Sequence, residues 1–230
     1  IKKFGENKIE ELIKKNNFYT KRRVIYEEKI SKFFVNYLTF DLFGRFSIKQ
    51  KDFMRLNDEL KIEIIKRILT TNSSSEYPPR KKPIEEIIKK IMTKNLFKLT
   101  LNSNIIISNR DQISFTRESS VTQMKMKYGI YVSPGETKLW DNRFEVLSLK
   151  NKIFCSKISL ENWDFIKKFF FKFEKRKISF EIIKTLPLIE FSKTYLIPFI
   201  SSPLELRKNG ISFNFTTKRK ITSNKFLIIN

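Results

Sequence analysis

The sequence predicts an α+β fold: an N-terminal helical segment over residues 1–95, followed by a largely antiparallel β domain with one or two helices over 96–230. Two observations carry this expectation. Up to Met92, apolar residues recur at the three-and-four spacing of a helix. From Leu96 they fall into short runs separated by turn residues, the pattern of strands. A chain of 230 residues is long enough for one large domain or two small ones.

Residues 6–40 read as helix, with Ile9, Leu12, Ile13, Val24, Ile25, Ile30, Phe33 and Phe34 in helical register and a break or bend expected at Asn16-Asn17. An apolar loop follows from Phe40 to Phe46, with Gly44 inside it. Asn57 or Asp58 caps a second helix with Leu60, Ile64, Ile65, Ile68 and Leu69 on one face. Thr71 to Ser75 is expected to be a polar linker. A third helix runs from Pro83 to Met92 and buries Ile84, Ile87, Ile88 and Ile91. A β-meander then spans Leu96 to Arg117, with bends at Asn102-Ser103-Asn104 and Asn109-Arg110-Asp111. Residues 119–139 are expected to be irregular, with a turn at Ser133-Pro134-Gly135. Leu139 to Leu149 reads as a turn entering a strand, and 161–173 as a helix carrying Trp163, Phe165, Ile166, Phe169 and Phe170. Ile182 to Phe191 surrounds Leu186-Pro187, and Tyr195–Ile200 and Ile211–Phe215 are further strands.

Composition excludes several function classes. The chain has no His and one Cys, Cys155. Imidazole acid–base chemistry, Ser-His-Asp and Cys-His arrangements, internal disulfides and multi-Cys metal sites are therefore outside its reach. Cys155 follows Phe154 in an apolar run and reads as a buried, inert thiol. The five Gly, at 5, 44, 129, 135 and 210, are too far apart for a phosphate-binding loop. Adjacent acids such as Glu10-Glu11 and Glu85-Glu86 do not converge on one point of a helix. No apolar run approaches the ~18 residues of a membrane span, and no secretory leader is recognisable.

The charge is the strongest functional signal. Forty-seven Lys and Arg oppose 24 Asp and Glu, a net of +23. Lys outnumbers Arg 35 to 12, and Ala is absent, which fits AT-rich coding and accounts for part of the Lys excess. It does not account for the low acid content, so a polyanionic partner is expected. After Glu205 every charged side chain is basic: Arg207, Lys208, Lys218, Arg219, Lys220 and Lys225. A second basic stretch runs from Lys150 to Lys177.

Four motifs stand out: Tyr77-Pro78-Pro79-Arg80, Arg117-Glu118, Trp140-Asp141-Asn142-Arg143-Phe144, and Leu186-Pro187 leading to Tyr195-Leu196-Ile197-Pro198. Each also has a purely structural reading. Asp141 and Arg143 can pair locally, Trp140 and Phe144 can be core, and Arg80 can cap a helix.

In this order and spacing the motifs resemble the part of a tRNA(Ile)-lysidine synthetase that follows its catalytic domain, in the form found in alphaproteobacteria. The resemblance spans residues 45–200 and is carried by Tyr77–Arg80, Leu99–Glu118 and Leu139–Val146. It implies a ligase that attaches lysine to C2 of the wobble cytidine of an isoleucine tRNA, by adenylation of the cytidine carbonyl oxygen and attack of the lysine amine. The family's Ser-Gly-Gly-x-Asp-Ser nucleotide loop is absent here. By resemblance, no catalytic, ATP-binding or metal residue carries over, and ATP with Mg belongs to a domain preceding Ile1. The residues present would hold the tRNA body and align the anticodon. Asn142 stands where the family commonly has Gly, and Asn is the next-best residue for a left-handed turn. The expectation is thus a cytoplasmic fragment, free of membrane, whose partners are tRNA and, through the missing domain, lysine and ATP. Arg80, Arg117, Arg143, Lys218, Arg219 and Lys220 are the expected RNA-contacting residues. The alternatives are a stand-alone, ribosome-associated RNA-binding protein, and a protein whose charge reflects codon bias alone.

Overall fold

The structure is a computed structural model describing residues 2–94, 96–159, 166 and 178–222, with side chains from Lys8 onward. It has an α+β architecture of twelve strands and seven helices among the described residues. The chain divides into two compact units, one holding the residues up to Leu38 together with Thr222, the other Thr39–Ile221.

The first unit is dominated by α1 (Lys2–Tyr37), a helix of 36 residues. It runs through Asn16-Asn17 without the expected break. Asn costs a helix only about 0.7 kcal/mol relative to Ala, so two of them cannot end one this long. Ile30, Phe33 and Phe34 are buried, whereas Ile9, Leu12, Ile13, Phe18 and Tyr19 are exposed.

The second unit opens with an antiparallel sheet of five strands in the order β1-β2-β5-β4-β3. These are β1 (Leu38–Phe40), β2 (Phe46–Lys49), β3 (Phe97–Leu101), β4 (Asn104–Ser108) and β5 (Gln112–Arg117). The expected meander is β3-β4-β5, and it is joined by two strands drawn from the expected helical segment. Register puts Phe46, Phe115, Ile106 and Leu99 in one row across the sheet. The alternate row holds Ser47, Ser114, Ile107 and Lys98, so the period of two divides an apolar face from a more polar one.

Between β2 and β3 lie the short α2 (Gln50–Met54), then α3 (Asp58–Ser73) and α4 (Lys81–Thr93). Asn57 caps α3 by accepting from the Leu60 N–H. Ile64, Ile65, Ile68 and Leu69 of α3 are buried where it packs on β4, β5 and α4, and α4 buries Ile84, Ile87, Ile88 and Ile91. Thr71–Ser73 are not linker but the buried last turn of α3. Short polar side chains can hydrogen-bond their own helix, as Thr70 Oγ1 does to the Lys66 carbonyl, and Asn72 Nδ2 donates to Asn104 Oδ1 at 2.6 Å.

The 119–139 stretch is more regular than expected: α5 (Ser119–Lys125) and β6 (Ile130–Val132) lie within it. Beyond them come β7 (Thr137–Trp140), β8 (Phe144–Ser148), β9 (Ile153–Lys157), α6 (Phe180–Ile183), β10 (Pro187–Phe191), β11 (Thr194–Leu196), α7 (Pro203–Lys208) and β12 (Ile211–Phe215). They form two antiparallel sheets, ordered β11-β10-β9-β6 and β12-β8-β7. One apolar cluster joins them, including Val132, Trp140, Phe144, Val146, Ile153, Cys155, Ile189 and Phe213. The strand expected over Tyr195–Ile200 stops at Leu196, and Pro198 and the positive φ of Phe199 turn the chain. The helix expected over 161–173 lies outside the described residues apart from Ile166, which is buried in this cluster.

Gly44 needs its lack of a side chain. It lies in the loop between β1 and β2 at φ +76, and the Asp41 carboxylate organises that loop by accepting from the Phe43 and Arg45 N–H groups. A Cβ on Gly44 would meet the Phe215 ring at 2.7 Å and Arg143 Nη1 at 3.4 Å. Gly44→Ala is expected to lower stability by about 1–3 kcal/mol through backbone strain and displacement of Phe215, read as a reduced urea midpoint with unchanged slope.

Candidate nucleic-acid interface

The β7–β8 turn forms the centre of the site. Asp141 and Asn142 have φ +49 and +58, and the Arg143 N–H donates to the Trp140 carbonyl at 3.0 Å. Two successive positive φ angles are the signature of primed hairpin turns, which match the twist of the flanking strands. Asn142 thus keeps the left-handed position that favours Gly. The turn drives the Asp141 carboxylate inward, where it is 0 % exposed.

That carboxylate gathers groups from β5, from α5 and from its own turn. Arg117, at the end of β5, is bidentate: Nε reaches Oδ2 at 3.0 Å and Nη2 reaches Oδ1 at 3.1 Å. Arg143 Nε reaches Oδ2 at 3.0 Å, and the Thr122 hydroxyl of α5 donates to it at 2.8 Å. Lys125 Nζ lies 3.3 Å from Oδ1. One carboxylate therefore faces three cations. Arg117 Nη1 continues to the Ser73 carbonyl at 3.2 Å, which ties the end of α3 to the same centre. Trp140 Nε1 donates to the Thr185 carbonyl at 3.0 Å, bringing in the segment before β10.

The electrostatics follow from this crowding. Burial pushes the Asp141 carboxyl up, but Arg143 and Arg117 outweigh it, with hydrogen bonds from Arg117 and Thr122, and hold it below its ordinary value. Burial lowers Arg143 to about 10, a shift that Arg117 reinforces and Asp141 opposes. Burial also lowers Lys125, against the pull of Asp141. Arg143 Nη1 has no hydrogen-bond partner among the described residues, although the guanidinium carbon lies 5.0 Å from the centroid of the Phe144 ring.

The geometry corrects two of the expected RNA-contacting residues. Arg117 is 4 % exposed and Arg143 is 0 % exposed, so neither can meet a phosphate in this fold. Of their structural readings, local pairing of Asp141 with Arg143 holds, and Trp140 and Phe144 are core. Arg80 occupies the N-cap position of α4 with an exposed side chain that makes no cap bond. Lys218, Arg219 and Lys220 are exposed, just past β12. Their backbone is anchored on the same turn: the Thr216 N–H donates to the Arg143 carbonyl at 2.8 Å and the Lys218 N–H to the Asn142 carbonyl at 3.1 Å. Ser74 Oγ donates to that Asn142 carbonyl at 3.0 Å. The chain leading to Tyr77–Arg80 and the chain bearing Lys218–Lys220 thus depart from one turn.

Sequence reasoning missed Thr122, Lys125 and the carbonyls of Ser73 and Thr185. Nothing in their local sequence marks them, because their partners lie 16 to 45 positions away along the chain. Cys155 is buried in β9, and burial pushes its thiol up to about 12. Among the described residues no group of three or more Cys, Asp or Glu converges as a metal site. No described helix is long and apolar enough to cross a membrane. No family model matches the chain, and no curated protein matches it.

Asp141→Asn would leave three cations without their counter-charge. It is expected to cost about 3–5 kcal/mol at neutral pH, measured by urea unfolding. The pH dependence has a definite sign. A carboxyl held low in the folded state contributes stability above its unfolded value of about 3.9, and that contribution disappears as the pH falls through the folded value. The gap between wild type and Asp141→Asn is therefore expected to narrow progressively below about pH 4.

Proposed function

We propose that this chain is the tRNA-binding portion of an ATP-dependent ligase that attaches lysine to the wobble cytidine of an isoleucine tRNA in the cytoplasm. The observation that carries this reading is convergence. Two of the motifs that resemble that family, Arg117-Glu118 and Trp140–Phe144, meet at one carboxylate, and Ser74, three residues before Tyr77, donates to the same turn. A protein that must hold a large folded RNA against an active site elsewhere needs a stiff frame joining its binding surfaces, and a buried ionic centre linking α3, β5, α5 and the β7–β8 turn supports that role. The net charge of +23 supports a polyanionic ligand. With Arg117 and Arg143 committed to Asp141, phosphate binding in this reading falls to Arg80, Lys218, Arg219 and Lys220. ATP, Mg and lysine would be handled by residues outside this chain.

The test is a salt titration of tRNA binding by the purified chain. An isoleucine tRNA with a cytidine wobble base is expected to bind with an affinity that falls steeply with salt, by about 0.9 logarithmic units per phosphate neutralised. It is also expected to bind better than an unrelated structured RNA of equal length. Replacing Lys218, Arg219 and Lys220 by Ala should reduce the salt slope by about one unit for each phosphate no longer neutralised, with folding intact. A flat salt response, or no binding at low salt, overturns RNA binding altogether. Equal affinity for the unrelated RNA leaves RNA binding standing and removes the ligase reading.

A further inference from the structure

The β11-β10-β9-β6 sheet carries a row of side chains in which Tyr195 packs against the apolar core and Tyr131 is exposed. Register sets Tyr131 opposite Phe154, Phe154 opposite Glu190, and Glu190 opposite Tyr195, so all four project from one face. The neighbouring row, Ile130, Cys155, Ile189 and Leu196, projects to the other face and packs into the core.

At the β6 edge the first row becomes an open aromatic surface. Phe154 is seated on Gly129, where a Cβ would come within 2.6 Å of its ring. Tyr131 packs on Phe154 with ring centroids 4.6 Å apart and planes inclined by 36°, yet it remains 57 % exposed. Tyr128, in the turn before β6, is 85 % exposed. Each tyrosine has an ammonium beside it: Lys152 Nζ lies 5.0 Å from the Tyr131 centroid, and Lys127 Nζ lies 5.4 Å from that of Tyr128. Lys138 Nζ donates to the Tyr131 carbonyl at 2.7 Å and is paired with Glu136 at 3.0 Å, so among the described residues the free cations of this edge are Lys127 and Lys152 beside the rings.

Two exposed rings, one of them buttressed by Phe154, with cations alongside match one ligand chemistry closely. An unpaired nucleotide offers a flat apolar face for the ring and an anionic phosphate for the lysine. An acidic peptide would satisfy the lysines but leave the rings unused, and duplex RNA keeps its base faces stacked internally. We propose that the Tyr128–Tyr131 edge of this sheet is a stacking platform for unpaired RNA nucleotides, with Lys127 and Lys152 on the adjoining phosphates. The proposal rests on the RNA-binding reading above and assigns that reading a second contact surface.

The test compares a short, labelled single-stranded RNA of mixed sequence with an RNA duplex of equal length, at low salt. Tyr128→Ala and Tyr131→Ala are each expected to weaken single-strand binding roughly tenfold, as loss of a base-stacking ring does elsewhere. Both should leave duplex affinity unchanged, and Tyr131→Phe, which keeps the ring, should bind as wild type. Wild-type affinity for the single strand in both alanine variants overturns the platform while leaving RNA binding in place. Equal weakening of single strand and duplex also overturns it, because stacking would not be what the substitution removed. Displacement of the single strand by polyglutamate as readily as by unlabelled RNA would assign the edge to acidic peptides instead. Absence of binding to either RNA by the wild-type chain sinks both this proposal and the reading beneath it.

Discussion

A single carboxylate, Asp141, is the constraint on which the arrangement of the second unit depends. It is fully buried and surrounded by Arg117, Arg143, Lys125 and the Thr122 hydroxyl. A lone buried carboxylate would shed its charge, and two lone buried guanidiniums would be more costly still. Together they are tolerable because the carboxylate is bonded by both arginines, one of them bidentate, and by Thr122, and because the arginines carry the connection outward. Arg117 reaches the end of α3 through the Ser73 carbonyl. The turn that holds Asp141 and Arg143 receives the chain after β12 through the carbonyls of Asn142 and Arg143. Elements far apart in sequence are thereby held in one geometry.

The charge balance at this centre gives it a second character. Three cations against one carboxylate leave an excess of positive charge, and burial lowers both Lys125 and Arg143 from their ordinary values. Removing one partner of such a buried ionic centre is costly, whereas replacing the whole centre by apolar groups of similar volume is often neutral or stabilising. The division of labour among the basic residues follows. Two arginines, Arg117 and Arg143, serve this interior, where the planar fork and bidentate geometry matter. The exposed work falls mostly to lysines, among them Lys218 and Lys220, and Lys127 and Lys152 beside their tyrosines.

Much of this fold was legible in the sequence, and the reasons are local. The isoleucines of α4 repeat at helical spacing, and Asn102-Ser103 sits between two runs of strand residues, so periodicity and turn chemistry sufficed. The Asp141-Asn142 turn was legible because Asn tolerates a left-handed backbone. Illegible parts depended on distant partners. Thr71–Ser73 look like linker until Asn104 and Arg117 are placed beside them. Residues 119–125 look irregular until Thr122 meets Asp141 and Gln123 meets the carbonyls of Ile158 and Lys184. The expected site was half legible for the same reason. The sequence offers Asp141 as a local partner for Arg143, but only the fold shows that Arg117 shares the same carboxylate inside the protein. Tyr128 and Tyr131 carried no signal at all, because exposure of an aromatic residue is decided by which face of the sheet it projects from.

The most direct measurement is a carbon-13 NMR titration of the Asp141 side-chain carboxyl. The carboxyl is expected to ionise below the ordinary aspartate value of about 3.9 although it is fully buried, because the two arginines outweigh burial. A value at or above the ordinary one, the behaviour of a buried carboxyl without effective partners, would mean that Arg117 and Arg143 do not hold Asp141 as the organising charge.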